Sequence, residues 1–448
     1  MCEAYGEEDG EQVPVKLIRD KSNNREQKCV KCNESGVLKI RLNDSFCKNC
    51  FQVYIVHKFR ASIGKAKVIR SGEHVVVAFS GGINSAALLH LIQDGKSERA
   101  HKKLRFIPSL VYVDETSLLD VSDEERQTVR SSVTKLMLDS GFPTYITNLE
   151  QVLEFEKQQS TLDSMWQVHP SDGCSNIPMP TQSQSGRLKA LITGLGSLSS
   201  AEDFIRNLRN QLLAAAARKL GVTKVLTAES ATRLAVRILS DVAQGRGSQV
   251  SLNTGFSDER NGDVMFIRPV RDLNAKELAM YNSLFHVDSV FIPTITTKTD
   301  PGSSIERLTE TFVMGLQEEF PSTVSNIKRT SEKLDLPDVK DSIKCCLCQS
   351  PLDTDVGLAS ALNAIELSKQ LSKSSGRTPV DGADVITLSE PFQDLKKLLC
   401  YGCSLGLSQF KGDLSTLPPF VMCTSKETKT QECLREKISS FLLTDETE

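Results

Sequence analysis

The 448-residue sequence has no long run of apolar residues and contains only one tryptophan. A membrane-spanning helix needs about 18 or more consecutive apolar residues, so we expect no membrane span. The first nine residues, MCEAYGEED, are acidic, and no basic segment leads into an apolar one. This start argues against a secretory signal and against a transit peptide. The single tryptophan, Trp166, is expected to be a packing residue or a loop anchor rather than a stacking platform for a base.

The sequence also lacks an excess of charge of either sign. Its 54 basic and 57 acidic residues give a formal net charge of −3, so any nucleic acid must be held by a local basic face. The chain is about three times the length of a ~150-residue domain, which predicts two or three folded units. A composition of 39% hydrophobic and 25% charged residues is that of a globular protein.

Cysteine, by contrast, is abundant. Without a secretory signal, the thirteen cysteines are expected to lie in a reducing compartment, the cytoplasm, where metal binding or catalysis explains them better than disulfides. Near the N-terminus, two C-x-x-C pairs are separated by fourteen residues. Two such turns give the four thiolates of a closed, tetrahedral zinc site, and the alternative is four ordinary thiols. The expected ligands are Cys29, Cys32, Cys47 and Cys50.

A second cysteine cluster lies near the C-terminus. Cys400 and Cys403 supply one half of it, and Cys348 with either Cys345 or Cys346 supplies the other. The spacing Cys345-x-x-Cys348 matches the first cluster and makes Cys346 the expected spare, but the sequence leaves this choice open. A second zinc ion is expected there. The other cysteines are interpreted as ordinary reduced thiols.

Between the clusters, short β-branched runs alternate with helical patterns. This alternation predicts an α/β fold, a doubly wound parallel sheet covered on both faces, flanked by N-terminal and C-terminal zinc-ribbon modules. The expected strands are Val75–Phe79, Leu110–Val113, Thr144–Asn148 and Lys224–Thr227, and the expected helices are Ser85–Asp94, Ser122–Asp139 and Ala201–Leu220.

We expect four regions along the chain. Residues 1–25 are acidic and polar, which predicts a disordered tail, and residues 26–70 hold the zinc ribbon and a basic linker. Residues 71–335 form the α/β domain, with a long insert at about 157–200 that is predicted to run above the sheet. Residues 336–448 form a split zinc module with its own insert and tail.

A glycine-rich loop follows the first expected strand and precedes a helix. Its residues are Ser80, Gly81, Gly82, Ile83, Asn84 and Ser85. Paired glycines allow close approach of a ligand, and successive backbone N–H groups at a helix N-terminus favour phosphate. The alternative is an ordinary strand-to-helix turn that uses glycine for its dihedral angles. No Gly-Lys-Ser or Gly-Lys-Thr follows, so the loop is not a Walker A motif.

A basic stretch links the first cysteine cluster to the first strand. Basic residues of this kind contact nucleic-acid phosphates, although a solvated helix face is the usual role of such a run. The candidates for phosphate contact are Lys58, Arg60, Lys65 and Lys67.

Taken together, these motifs resemble a known family. Ser-Gly-Gly-x-x-Ser after a first strand resembles the pyrophosphate loop of ATP pyrophosphatases that adenylate a carbonyl. Cysteine pairs before and after that domain, with the segment Ile267–Leu273 followed by Lys276, Glu277 and Tyr281, resemble the branch that thiolates tRNA. The combination resembles most the cytoplasmic tRNA 2-thiolation protein 2 family, the second subunit of the eukaryotic wobble-uridine thiolase.

The sequence differs from the catalytically active members of the wider group that it resembles. They carry Asp in the loop where this chain has Asn84, which puts ATP hydrolysis in doubt. They carry a cysteine pair before the central helix, where this chain has Ala201–Arg206, and Cys174 is the only cysteine between Cys50 and Cys345. They also carry a Gly-His-Asn-x-x-Asp-Asp type sequence where this chain has Ala228–Arg233. The three departures imply that the fold remains while the catalytic groups are lost.

The resemblance therefore implies a non-catalytic or weakly catalytic subunit of a tRNA thiolase. Its implied partners are tRNA, a catalytic paralogue in a heterodimer, and a ubiquitin-like carrier that delivers sulfur as a thiocarboxylate. Two alternatives stay open. The chain could itself be an ATP-dependent adenylating enzyme, with Asp114 or Glu115 in the carboxylate role, or it could be a zinc-ribbon RNA-binding scaffold without this chemistry.

Overall fold

The structure is a computed structural model that describes residues 28–40, 44–98, 100, 103–156, 162, 165–169, 178–334, 343–352, 368 and 395–422. The chain divides into two compact units between Val53 and Tyr54. The acidic tail expected at residues 1–25 lies outside the described residues, as do Cys2, Cys174, Cys423 and Cys433.

The first unit is a small β-ribbon. Strands β1 (Leu38–Lys39) and β2 (Ser45–Phe46) pair antiparallel, and an isolated bridge joins Lys28 to Ser35. Helix α1 (Lys48–Ala66) begins directly after β2, and its residues from Tyr54 onward belong to the second unit. With so little apolar surface, a unit of this size needs a further stabilising element such as a metal.

The second unit contains one seven-stranded sheet within the described residues. Its strands are β3 (His74–Ala78), β4 (Ile107–Asp114), β5 (Thr144–Asn148), β6 (Trp166–Val168), β7 (Lys224–Leu226), β8 (Ser257–Asn261) and β9 (Val264–Ile267). The order across the sheet is β6-β5-β4-β3-β7-β9-β8. The five central strands are parallel and the two edge strands are antiparallel. The expected α/β fold with a parallel sheet is thereby confirmed.

Helices lie between these strands and follow the last of them. They are α2 (Ile83–Lys96), α3 (Asp123–Asp139), α4 (Gln182–Gly194), α5 (Leu198–Lys219), α6 (Ala231–Ala243), α7 (Val250–Thr254), α8 (Ala275–Phe285), α9 (Ile305–Glu319), α10 (Thr323–Ser331) and α11 (Tyr401–Leu407). Short 3-10 helices span Thr116–Leu118, Leu149–Glu154, Gly247–Gln249 and Leu414–Thr416. Local sequence explains their starts: α3, for instance, opens with a capping box in which Ser122 and Glu125 bond each other's backbone N–H.

The segment expected as an insert at 157–200 contributes to the sheet. In its described part, Trp166–Val168 pairs with Thr144–Ile146 and adds the antiparallel edge strand β6. Helix α4 and the start of α5 follow. The Ser- and Gln-rich composition hides this strand, because main-chain hydrogen bonds to β5 hold it rather than an apolar pattern of its own.

The C-terminal segment packs into the main core of the second unit. Leu399 and Phe420 belong to the same buried cluster as the alanines of α5. Small residues let the chain approach closely: Gly196 has φ +74°, and a Cβ there would lie 2.9 Å from the Gln409 carbonyl oxygen. Residues 395–422 therefore pack into the core of the second unit.

Candidate functional site

The glycine loop joins β3 to α2 at the carboxyl end of the sheet. Gly81 has φ +78°, and a Cβ there would lie 3.0 Å from the Val133 side chain. Its carbonyl oxygen accepts a hydrogen bond from the backbone N–H of Val290 at 2.8 Å. The conformation and the close packing both require glycine at this position.

The polar loop residues form hydrogen bonds with one another and with Ser230, which follows β7. The Ser80 hydroxyl donates to the Ser85 hydroxyl at 3.2 Å, and the Ser85 hydroxyl donates to the Gly82 carbonyl at 2.9 Å. The Asn84 amide donates to the Ser230 hydroxyl, the N-cap of α6, at 3.4 Å. The loop residues expected from the sequence thus lie together, and Asn84 links the loop to the end of β7.

The carboxylates that end β4 are bound to arginines. Asp114, which is 2% exposed, accepts two hydrogen bonds from the buried Arg130 guanidinium, at 2.9 Å and 2.5 Å. Its other oxygen accepts from the backbone and hydroxyl of Thr116. The next residue, Glu115, accepts from the guanidinium of Arg209 at 2.7 Å. The two carboxylates proposed as replacements for a loop aspartate are therefore already occupied.

Glu229, after β7, is bound in the same way. Arg237 and Arg268 both contact its carboxylate. Burial alone would raise the pKa of Glu229, but these two guanidinium groups lower it to about 2. Arg268 also reaches Asp258 at 3.4 Å. A carboxylate with a lowered pKa is a weak general base near neutral pH, and two arginines already balance the charge of this one.

The first cysteine cluster forms the N-terminal tetracysteine site. The Sγ atoms of Cys29, Cys32, Cys47 and Cys50 all lie within 4.8 Å of one another. The Sγ of Cys32 lies 3.6 Å from that of Cys47 and 3.6 Å from that of Cys50. A tetrahedral zinc ion with Zn–S bonds of ~2.3 Å separates its sulfur ligands by about 3.8 Å, so the thiols fit one such ion.

The thiols of this site also interact electrostatically. Hydrogen bonds to Cys32 and Cys47 raise the pKa of the Cys50 thiol to about 12. Four neighbouring thiols cannot all lose their protons without a cation between them, and a divalent metal supplies that cation. The donor set and its spacing suit a tetrahedral metal ion.

The second cluster forms the C-terminal tetracysteine site. The Sγ atoms of Cys345, Cys348, Cys400 and Cys403 lie within 4.8 Å of one another, and the Cys348 and Cys400 sulfurs are 3.6 Å apart. Cys346 is buried but is not in this group; its backbone N–H donates to the Leu398 carbonyl. Of the two cysteines between which the sequence left the choice open, the structure brings Cys345 to the site. This site likewise fits a single tetrahedral metal ion.

The basic candidates differ in their availability. Lys58 donates to the Glu277 carboxylate at 3.3 Å and to the Asp272 carbonyl at 3.1 Å, and it lies over the Tyr54 ring. Arg60 is half-buried, whereas Lys65 and Lys67 are exposed. The structure therefore uses Lys58 to hold α1 against α8 and leaves Lys65 and Lys67 on the surface.

No sequence motif indicates the arginines that pair with the carboxylates at the carboxyl edge of the sheet. Arg130 is fully buried, and it stands 16 residues from its partner Asp114. Arginine in a charged, amphipathic helix is usually solvated, so only the spatial neighbourhood identifies this one as a buried ion-pair partner. None of the helices in the described part of the chain combines the length and hydropathy of a membrane span.

A parallel sheet with a Ser-Gly-Gly loop after its first strand, together with two four-cysteine sites, defines an ATP-pyrophosphatase-like α/β protein with ribbon-type metal modules. Comparison with solved structures agrees: the U34-tRNA thiolase NcsA from Methanococcus maripaludis, a structure with a [4Fe-4S] cluster, is similar with a TM-score of 0.51 at 14% identity. The similarity covers 72% of this chain and 92% of that chain. At this level of identity, it shows the fold alone.

Sequence comparison assigns the family. A sequence profile described as Cytoplasmic tRNA 2-thiolation protein 2 matches residues 304–405. A protein of that name from Xenopus tropicalis is 37% identical over 93% of this chain and 94% of its own length. Another from Homo sapiens is 34% identical over 95% of each chain. The chain belongs to the cytoplasmic tRNA 2-thiolation protein 2 family, as the motifs of its sequence predicted.

Proposed function

We propose that this chain is a non-catalytic or weakly catalytic subunit of the cytosolic complex that 2-thiolates the wobble uridine of tRNAs, in mcm5s2U formation. Membership of a family named for cytoplasmic tRNA 2-thiolation supports the pathway and the compartment. The fold shared with a U34-tRNA thiolase supports descent from an enzyme of this kind.

The occupied carboxyl edge of the sheet supports the non-catalytic role. The loop position that is acidic in active members is the neutral amide Asn84, which donates to Ser230. The nearby carboxylates Asp114, Glu115 and Glu229 are each paired with arginine. An adenylating site needs metal-bound ATP, and no carboxylate of this set is free to hold the metal.

Sulfur chemistry points in the same direction. An iron–sulfur cluster is held by several cysteine thiolates, and the similar thiolase structure contains one. Between Cys50 and Cys345, this chain has Cys174 alone. The chain therefore lacks the ligands for such a cluster in the central domain, and a catalytic paralogue in a heterodimer would supply them.

In the proposed complex, the paralogue uses ATP to adenylate the C2 oxygen of the wobble uridine and releases pyrophosphate. Sulfur then replaces the adenylated oxygen, which leaves as AMP. A ubiquitin-like carrier with a C-terminal thiocarboxylate delivers the sulfur. This chain supports the partner's site and contributes to tRNA docking through exposed lysines of α1 and its end, Lys65 and Lys67. Two zinc ions, one in each tetracysteine site, hold the modules that flank the domain.

Reconstitution tests this proposal. The purified chain, the purified paralogue and their mixture are each supplied with tRNA, ATP and a sulfur donor, and 2-thiouridine is measured by mass spectrometry of digested tRNA. We expect product from the mixture and none from this chain alone. Robust turnover by this chain alone would overturn the non-catalytic assignment. Unchanged 2-thiouridine in cells that lack the chain would instead favour an RNA-binding scaffold.

One observation supports a second candidate function, that of an ATP-dependent tRNA-adenylating sulfurtransferase. Helix α2 begins at the glycine loop without a side-chain cap, so its first backbone N–H groups point toward any phosphate bound there. Calorimetric titration with ATP separates the two candidates, because the adenylating enzyme must bind nucleotide and must lose it in Ser80→Ala and Gly81→Ala variants. The absence of measurable ATP binding excludes the second candidate.

A further inference from the structure

The C-x-x-C turn of Cys400–Cys403 lies directly against the loop that follows α6. Two glycines make the approach possible. A Cβ at Gly402 would lie 2.2 Å from Nε of Arg246, and a Cβ at Gly245, where φ is +74°, would lie 2.4 Å from the ring of Tyr401. Each glycine thus receives a large side chain from the other segment, and the metal-binding turn packs onto Arg246 itself.

Arg246 is oriented by a second residue. Its guanidinium is bonded through both terminal nitrogens to the carboxylate of Asp203 on α5, one of them at 2.5 Å. The same Nη2 atom lies 3.8 Å from Sγ of Cys403. Arg246 is 4% exposed and Asp203 is 7% exposed. The ion pair therefore presents a fixed N–H group and the positive end of a dipole to a metal ligand.

The other cysteine pair of this site also rests on an arginine. Nη1 of Arg260 donates to the Ser350 hydroxyl at 2.7 Å, and the Ser350 carbonyl accepts from the backbone N–H of Cys345 at 2.8 Å. Asp258 fixes Arg260 as Asp203 fixes Arg246. Of these two arginines, Arg246 contacts a cysteine sulfur directly, whereas Arg260 acts through Ser350.

The chemistry of the site explains why such a donor matters. Four thiolates around one divalent ion carry a net charge of about −2, and a buried charge is costly unless it is hydrogen-bonded. Cys345 and Cys403 are at most 1% exposed. Groups that bond to the ligands of a metal fix their geometry and tune their affinity for the ion.

We propose that Arg246, held by Asp203, is a positioning residue of the C-terminal tetracysteine site. It donates to the Cys403 thiolate and raises the affinity of this site for a thiophilic divalent cation such as zinc. The inference concerns the metal site alone and does not depend on the proposed role in tRNA thiolation.

Chelator competition on the full-length chain tests the proposal. The zinc content is followed as a coloured chelator removes the metal from wild type and from Arg246→Met, Arg246→Lys and Asp203→Asn. We expect the affinity of one of two sites to fall about tenfold or more in Arg246→Met, with Arg246→Lys between it and wild type. Arg218→Met is the matched control, because Arg218 also pairs with an aspartate, Asp263, but lies at the far end of α5.

A spectroscopic measurement separates positioning from simple packing. In a Cys29→Ser/Cys32→Ser background, only the C-terminal site is loaded with cobalt, and its sulfur-to-cobalt charge-transfer band is recorded. Arg246→Met removes the N–H donor to sulfur and Asp203→Asn removes the carboxylate that holds it, so both shift this band, whereas Arg218→Met leaves it unchanged. Wild-type zinc affinity in Arg246→Met, or lowered affinity with an unshifted band, would overturn the proposal. If Arg246→Met does not fold, Arg246→Lys and Asp203→Asn give the same two readings.

Discussion

The two tetracysteine sites have the same ligands and the same spacing within each pair, but different surroundings. The N-terminal site lies in a unit that has its own short ribbon, and its neighbours Val30 and Lys31 are exposed. The C-terminal site lies in the main core of the α/β domain, beside Leu399 and Phe420, and its cysteines come from segments about 50 residues apart.

The surroundings of each site determine how the charge of its thiolates is balanced. In the self-contained ribbon, Cys32 and Cys50 are partly exposed, so water can balance part of the thiolate charge. A buried site has no such solvent, so protein groups must provide the compensation, and here Arg246 and Asp203 do so. The same cysteine motif thus stabilises a small local ribbon at the N-terminal site, whereas at the C-terminal site it joins two segments that are distant in the sequence.

Removing one ligand from each site gives the largest expected contrast. Cys400→Ser should lower the free energy of unfolding of the α/β domain by several kcal/mol, because the metal's binding energy is lost from the core. Cys32→Ser should leave that transition unchanged, since its site lies in the other compact unit. Urea unfolding followed by circular dichroism measures both.

The control for this contrast is the neighbouring cysteine. Cys346→Ala removes a buried thiol that is not a ligand, so both metals should be retained and the loss should be about 1–2 kcal/mol. The comparison fails if Cys32→Ser destabilises the domain as much as Cys400→Ser does, or if Cys346→Ala releases zinc.

Local patterns in the sequence were enough to predict much of this. The β-branched run that ends at Phe79 predicts a buried strand, and the alanines before Leu220 predict a buried helix, because such apolar runs are typical of these elements. The C-x-x-C spacing indicated the ligand pairs, since two residues between cysteines set the turn that brings both sulfurs to one ion. The parallel sheet followed from the alternation of such elements.

Contacts between residues distant in the sequence were not predictable in this way. Arg246 lies 157 residues from Cys403 and 43 residues from Asp203, and no motif connects them. The arginine partners of Asp114 and Glu229 were missed for the same reason. From the sequence alone, a charged residue is expected to be exposed to solvent. Only the folded structure shows which charged residues are buried in ion pairs.

Glycine substitutions test the packing of the C-terminal site with a smaller expected effect. Gly402→Ala should destabilise the chain by about 1–3 kcal/mol, because the added Cβ meets the Arg246 guanidinium, which Asp203 holds in place. Gly186→Ala should stabilise it by about 0.5–1 kcal/mol, since Gly186 lies inside α4 with nothing within 4 Å of the new Cβ. Thermal unfolding would show shifts of opposite sign; equal shifts would contradict the close packing of Gly402.

Two lysines next to metal ligands give the smallest and most closely matched test. Lys344 precedes Cys345 and donates to the Arg260 carbonyl at 3.2 Å, whereas the side chain of Lys31, beside Cys32, is exposed. Lys344→Met should cost about 1 kcal/mol through the lost hydrogen bond, and Lys31→Met should cost nothing measurable. Urea midpoints at equal slope measure both changes. An equal effect of the two substitutions would mean that the hydrogen bond from Lys344 to the Arg260 carbonyl does not stabilise the chain around the C-terminal site.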